Sequence, residues 1–519
     1  MRKAKRSTFT VVALVLSLML VISACSGNGG NEGGNNNPTN APTTSTEPTD
    51  SGNEGTGQEQ LEEHTLKLVY TGATQKDEEK VEAAINEYLK DKINAKLDLI
   101  AIDWGPWEEK LNLMIAGRDE VDIIFTAVWQ KHAINVKKGA FIDVGPLLQS
   151  HGQGILDSLD PLYLEGAKVG GVNYAVPTNK EFAAQGGIVY RKDIAEELGL
   201  DMSKVKTIYD LDEIFATVKE KKPGMTPLYL TRGETFNSHY FVGIDALGDT
   251  SVPGMILKDL SDTKVHASYE DERYLEHLRV TRDYFQKGYV NRDAATSLTG
   301  TADALKTGNV FAVVASLKPG KAKEMENQIS YQGKLEQFEL TPKTTSTSEA
   351  AGSMLAISST SKDPERAMMF INLLHTDEVL NNMLNFGIEG THYEKVSDSI
   401  IKPGPEAGNY SPGAQWMFGN QFLNYVTESE DPDKWEKFRQ FNENPKLSPG
   451  FGFFFDHEPV TAEVGVISNL EKEYLPTLET GSVDIDKVLP EFAQKMKAAG
   501  ADRIIELKQQ AFDEFLASK

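Results

Sequence analysis

Three short stretches set aromatic rings beside small polar groups: Tyr70-Thr71-Gly72, Asp103-Trp104-Gly105-Pro106-Trp107 and Thr126-Ala127-Val128-Trp129-Gln130. A sugar ring has an apolar C–H face and a polar edge. An indole covers the first, while carboxylates, amides and hydroxyls take the second. Tyr70, Trp104, Trp107, Thr126 and Trp129 are therefore candidate ligand contacts. Each ring taken singly reads equally well as a cap on the core, because Trp and Tyr are usually highly but not fully buried. That all of them cap the core is the weaker reading.

Further along, Glu389 and His392 place an acid and a base three residues apart. With no second placed carboxylate or nucleophile beside them, they read as bonds to ligand hydroxyls or as pins of the turn between Gly387 and Gly390. Trp416 and Phe418 share a face only if their segment is extended. Lobe packing competes there with ligand contact, which is slightly favoured. Phe451, Phe453 and Phe455 alternate as in a strand and read as core. Glu428-Ser429-Glu430-Asp431-Pro432-Asp433 reads as a solvated helix start. Catalytic signatures are missing: no Gly-x-x-x-x-Gly-Lys-Ser/Thr, Gly-x-Ser-x-Gly or His-Glu-x-x-His occurs. His457-Glu458 precedes Pro459 and so reads as a turn, not a metal-binding helix. No catalytic residue, metal site or cofactor is expected.

The elements that must position these residues open the folded part. Leu66, Leu68 and Tyr70 alternate as a strand and meet Thr71-Gly72. Thr74-x-x-Asp77 resembles a capping box. Val81, Ala84, Ile85, Tyr88 and Leu89 then fall at helical spacing. Residues 97–102 form a second strand, 107–116 a helix and 121–125 a third strand. Strand–helix alternation implies a parallel sheet, and open parallel sheets hold ligands at the carboxyl ends of their strands. The aromatic stretches above sit at those ends. Residues 170–177 and 186–193 read as two strands around a polar turn. From Ile194 to Tyr289 the pattern is mostly helical, with a strand at 227–230; further strands are expected at 310–315 and 334–340.

Before all this lie Arg2, Lys3, Lys5 and Arg6, an apolar run from Phe9 to Ile22, and Ser23-Ala24-Cys25, which holds the only cysteine in the chain. This is the pattern of a secretory signal peptide over residues 1–24, since a spanning helix needs about 20 apolar residues. The position of Cys25 matches the lipobox of bacterial lipoproteins, and that match implies cleavage before Cys25 and lipidation of its sulfur. Two acyl chains anchor a protein stably. Residues 25–64 are rich in Gly, Asn, Thr, Pro and Ser and poor in apolar groups, so they read as a disordered tether. Its flexible span is roughly 30–35 Å. The formal charge of −24 opposes binding to nucleic acid or anionic lipid headgroups and argues weakly for a neutral or cationic ligand.

Several stretches together resemble one family. They are Gly171-Val172-Asn173-Tyr174-Ala175-Val176-Pro177, Val189-Tyr190-Arg191-Lys192-Asp193, Gly308-Asn309-Val310-Phe311-Ala312-Val313 and Met354-Leu355-Ala356-Ile357-Ser358, with Pro364-Glu365-Arg366-Ala367 opening a helix. In this order they are similar to the extracellular solute-binding proteins of family 1, which serve ABC importers. Phe386-Gly387-Ile388-Glu389-Gly390-Thr391-His392-Tyr393, Trp416-Met417-Phe418-Gly419-Asn420-Gln421-Phe422 and Gly452-Phe453-Phe454-Phe455-Asp456 resemble signatures of its long Gram-positive lipoprotein branch. The resemblance implies an α/β fold of two lobes joined by hinge strands, with parallel-rich sheets and a helical C-terminal region. It assigns residues 65–182 and 329–385 to one lobe and 183–328 and 386–519 to the other. It further implies a monomer, anchored on the outer face of the cell membrane, that hands an oligosaccharide or related solute to importer permease subunits. A cell-surface glycan hydrolase or lyase, and a ligand-presenting partner of a membrane sensor kinase, are the other classes the residues allow.

Overall fold

The computed structural model describes residues 61–239, 243–257, 263–329, 331 and 333–519. The expected signal peptide, Cys25 and most of the expected tether lie outside these residues. The last tether residues lie inside, and they are held. Asn94 Nδ2 donates to Leu61 O at 2.7 Å, Arg366 Nη1 to Glu62 O at 3.1 Å, and Lys96 pairs with Glu63 at 2.7 Å. The folded part therefore begins a few residues before the expected boundary at 64.

Strand β1 (His64–Thr71) leads to α1 (Glu78–Ile93), β2 (Ala95–Ile102), α2 (Trp107–Gly117) and β3 (Ile123–Thr126). Val81, Ile85 and Leu89 bury the inward stripe of α1 completely, as their spacing requires. β1 pairs parallel with both β2 and β3, which sets the three strand ends on one rim. The expected capping box does not form: Asp77 is the N-cap of α1 but makes no side-chain cap bond. Its carboxylate accepts from His392 instead.

The chain then supplies β4 (Val176–Pro177), β5 (Gln185–Arg191), β6 (Thr226–Tyr229), β7 (Val310–Leu317), β8 (Leu335–Glu339) and β9 (Met354–Ile357). Two principal sheets result, in the orders β2-β1-β3-β9-β4 and β8-β5-β7-β6. Both are mixed. β9 runs antiparallel to β3 and β4, while β5 runs antiparallel to β7 and β8. One core surrounds the first sheet, and separate clusters pack the two faces of the second. The chain passes between sheets twice, from β4 to β5 and from β8 to β9. The two crossing segments pair where Ala184 and Thr344 exchange backbone hydrogen bonds of 2.8 and 3.0 Å.

Two features of the expected lobe division differ in detail. β8 belongs to the second sheet, paired along β5, so residues 335–339 do not pack with the first core. Conversely Tyr410, Ala414, Met417, Phe418 and Phe451 pack into the first core. The C-terminal helices α3 (Thr461–Glu479), α4 (Ile485–Ala498) and α5 (Ala501–Ser518) build a further core with residues from 247–256 and 265–278. Phe453 and Phe455 enter that core and Phe451 the first one. The alternation is real in burial, but no strand forms at 451–455.

Candidate functional site

A cavity of about 810 Å³ opens where these parts meet. Its floor comes from the first crossing segment (Lys180, Glu181, Ala183, Ala184) and from the end of β7 and beyond (Ser316, Lys318). One wall carries Trp129 and Trp416; facing segments contribute Asn237, Ser238 and Tyr274, and α3 contributes Ser468, Glu471, Lys472, Leu475 and Glu479. The α3 residues recur at helical spacing, so one stripe of that helix faces the cavity.

Part of the aromatic wall grows from a strand end: Trp129 follows β3, whereas Trp416 lies in the turn at 415–417. Val128 N donates to Ala351 O at 2.9 Å, and Trp129 Nε1 donates to Gly352 O at 2.8 Å, which fixes the indole. Trp104 is 52% exposed and stacks beside both cavity rings, 6.0 Å from Trp129 and 6.2 Å from Trp416 between centroids. It does not itself line the cavity. Phe125 lies beneath, edge-on to Trp416 at 5.5 Å and 6.0 Å from Trp129.

Other expected contacts are core residues. Trp107 is 1% exposed and packs on Phe125 at 6.1 Å. Tyr70 is buried, with its hydroxyl donating to Glu78 at 3.3 Å and its ring edge-on to Phe418 at 5.4 Å. Burial, followed by repulsion from Glu78, pushes the Tyr70 phenol well above its usual range. Thr126 is buried against His132 Nδ1 at 3.1 Å. Phe418 parts from Trp416 because residues 415–417 form a turn, not an extended run, so the two rings face different ways.

Glu389 is exposed and does not line the cavity. His392 is buried and pins the turn: its Nδ1 accepts from Ile388 N at 3.0 Å and its Nε2 donates to Asp77 Oδ2 at 3.1 Å. Gly387 has φ +83, and a Cβ there would meet His392 Nδ1 at 2.5 Å, so the turn requires glycine. Asp77, His392 and Glu406 lie close enough to suggest a metal site. Both His392 nitrogens are already committed, and Lys80 sits 3.2 Å from Glu406. The arrangement is a clamp between α1 and the 387–393 turn. It holds Asp77 below the usual carboxylate range, chiefly through the His392 hydrogen bond.

The cavity charges, which sequence reading missed, are mostly neutralised in place. Lys180 and Lys318 lie 3.3 and 3.7 Å from Glu181, and Lys318 lies 3.3 Å from Glu324. Burial pushes Glu181 up, but the two ammonium groups outweigh it and leave the carboxyl below its ordinary value. Glu479 accepts from Tyr274, Asn237 and Thr235, each at 2.9 Å. Burial nevertheless keeps its carboxyl above the ordinary range. Glu471 is pushed up to about 8 by burial, then by Asp249 and Glu479. At about 8 the carboxyl is mostly protonated at pH 7, and in that form it can donate as well as accept. Indoles on one side and neutral or locally balanced polar groups on the other suit an uncharged, hydroxyl-rich ligand.

A two-lobed α/β architecture with a walled cleft at the crossing segments defines a class of binding protein. Residues 72–380 match the sequence model of the bacterial extracellular solute-binding proteins, and the chain belongs to that family. Residues 449–517 match a second model, described as a domain of unknown function. A "carbohydrate ABC transporter substrate-binding protein" of Streptococcus pneumoniae serotype 4 (strain ATCC BAA-334 / TIGR4) is 27% identical over 98% of both chains. The crystal structure of an N-glycan transport solute binding protein (NgtS) from Streptococcus pneumoniae superposes with a TM-score of 0.78 at 26% identity, covering 87% of this chain and 99% of that one. The same protein in complex with Man5GlcNAc gives 0.75, also at 26% identity, over 88% and 99% of the two chains.

Proposed function

We propose that this chain captures a neutral oligosaccharide in the cleft and presents it to an ABC importer from a lipid anchor at Cys25. The cleft itself carries the reading. Trp129 and Trp416 offer stacking faces, Trp104 extends the aromatic surface outward, and Glu471, Glu479, Asn237 and Ser238 supply hydrogen-bond partners for hydroxyls. Similarity along nearly the whole chain to a carbohydrate-transport protein, and to NgtS in complex with a mannose–GlcNAc glycan, supports the same ligand class. A ligand that touches both walls stabilises the closed arrangement of the lobes over the open one, and that difference is what a permease reads.

The test is calorimetric titration with mannosyl-GlcNAc glycans, maltodextrins and fructans, followed by mass spectrometry of the recovered sugar. Micromolar or tighter binding of a glycan that returns intact is expected. Shortened or unsaturated products would transfer the cleft to the hydrolase or lyase class. No binding by any neutral glycan would remove the reading.

A further inference from the structure

Lys508 stands on α5, does not line the cavity, and is completely buried. Its Nζ donates to three main-chain carbonyls: Ala246 at 3.0 Å, Val252 at 2.9 Å and Gly254 at 2.8 Å. An ammonium has three protons and no acceptor, so its valence is filled. All three acceptors belong to one loop, 246–254, between the short strands Ile244–Asp245 and Ile256–Leu257. That loop builds cavity wall, presenting Ala246 and residues 250–254 to the interior.

Local turns hold only part of this shape: Leu247 N donates to Asp245 Oδ1 at 2.8 Å and Ser251 N to Asp249 Oδ1 at 2.9 Å. Leu247 has φ 57, in the left-handed region that a branched side chain avoids, and Gly248 and Gly254 have φ 121 and 97. Turning three carbonyls inward takes them from water, and each then needs a donor. One buried ammonium serves all three. Burial pushes Lys508 down to about 7, and the nearby carboxyl groups of Asp249 and Asp245 act against that shift. The Phe455 ring lies 5.6 Å from it.

We propose that Lys508 is a positioning residue of the solute cleft, its ammonium gathering the carbonyls of loop 246–254 as a bound cation would and so setting the wall that the solute meets. This assigns a task to the 449–517 region, which lines the cleft through α3 and shapes it through α5. The proposal rests on the solute-binding reading for its effect on affinity, but its effect on the loop is independent of any ligand.

The experiment compares wild type, Lys508→Met and Lys508→Arg in the full chain. It measures hydrogen exchange without ligand, melting temperature, and affinity for Man5GlcNAc. Lys508→Met fills the same volume without donors. The amides of 246–254 should exchange at least tenfold faster and affinity should fall about tenfold, while the melting temperature changes little because the loop opens to water. Lys508→Arg, which keeps a cation with several donors, should recover part of both losses. Unchanged exchange in the loop of Lys508→Met would overturn the proposal, as would an affinity loss that merely follows a lower melting temperature. If Lys508→Met does not fold, wild type decides. A slowly exchanging Lys508 ammonium resonance, with the loop amides opening together with α5, is the expected result; independent opening overturns it. If wild type binds no glycan, the solute reading falls, yet the exchange data still decide whether Lys508 holds the loop.

Discussion

Trp107 and Trp129 provide a paired perturbation: the same side chain, beyond the ends of β2 and β3, in opposite expected roles. Trp107 is 1% exposed, whereas Trp129 is 43% exposed, lines the cavity and touches Trp104 and Phe125. Truncating a buried Trp to Ala costs about 3–5 kcal/mol. Unfolding entropy is about 2.1 cal/mol/K per residue, so a unit of roughly 460 residues melting together loses about 1 °C per kcal/mol. Trp107→Ala should therefore melt about 3–5 °C lower, with affinity nearly intact, because Phe125 still stands between it and the cavity rings. Trp129→Ala should show the converse. Loss of a stacked ring costs about 1 kcal/mol beyond area burial, or five- to tenfold in affinity, with a melting shift of only about 1 °C. Calorimetric titration with the best glycan and differential scanning calorimetry on the same preparations separate the two roles. If Trp129→Ala melts as low as Trp107→Ala and binds as well as wild type, the ring is a cap on the core and the aromatic wall is not the sugar platform. Unchanged affinity in all of the single Trp104, Trp129 and Trp416 variants would equally remove the platform.

Cys25→Ser should leave an unprocessed precursor or release protein to the medium; a variant still cleaved, acylated and membrane-bound refutes the anchor. For Glu471, the folded carboxyl titrates near 8 and the unfolded one near 4.5, so its contribution to stability is complete below about 4.5 and is lost as pH rises through 8. Between those limits stability falls with rising pH, so Glu471→Gln should flatten the decline in melting temperature from about pH 5 to 8. Parallel curves for the variant and wild type would show that Glu471 is not the raised cavity carboxyl described. A neutral solute should bind with less than about twofold change between low salt and about 1 M, where the screening length is near 3 Å. A steep decrease would identify a charged solute.

Much of the first sheet was legible because its signals are local. Alternation in β1, the stripe on α1 and the strand–helix order fix three parallel strands, and topology then fixes the rim on which their loops meet. Which ring on that rim faces inward was not legible. Trp104 and Trp107 flank a turn with no periodicity of its own, and the face of α2 that Trp107 occupies is decided by Phe125 packing against it. Trp416 and Phe418 were parted by a turn at 415–417. His392 finds its partner in Asp77, 315 residues away, and no spacing rule reaches that far.

The second wall was hidden for a different reason. Ser468, Glu471, Lys472, Leu475 and Glu479 form a polar stripe on α3, and a polar helical stripe in a sequence reads as a solvated face. It faces a cavity only because Asn237, Ser238, Tyr274 and loop 246–254 are brought opposite it from more than 190 residues away. Burial then changes the chemistry of an ordinary residue: Glu471, a surface anion by sequence, becomes a mostly protonated acid among cavity groups. The two walls therefore answer to different constraints. On the proposed reading the rings of Trp129 and Trp416 offer stacking that one sugar shares with another, whereas the α3 stripe can vary without disturbing the sheet. Substitutions at Ser468, Glu471 or Leu475 should thus change which hydroxyl pattern is accepted, while those at Trp129 or Trp416 lower affinity for every sugar alike.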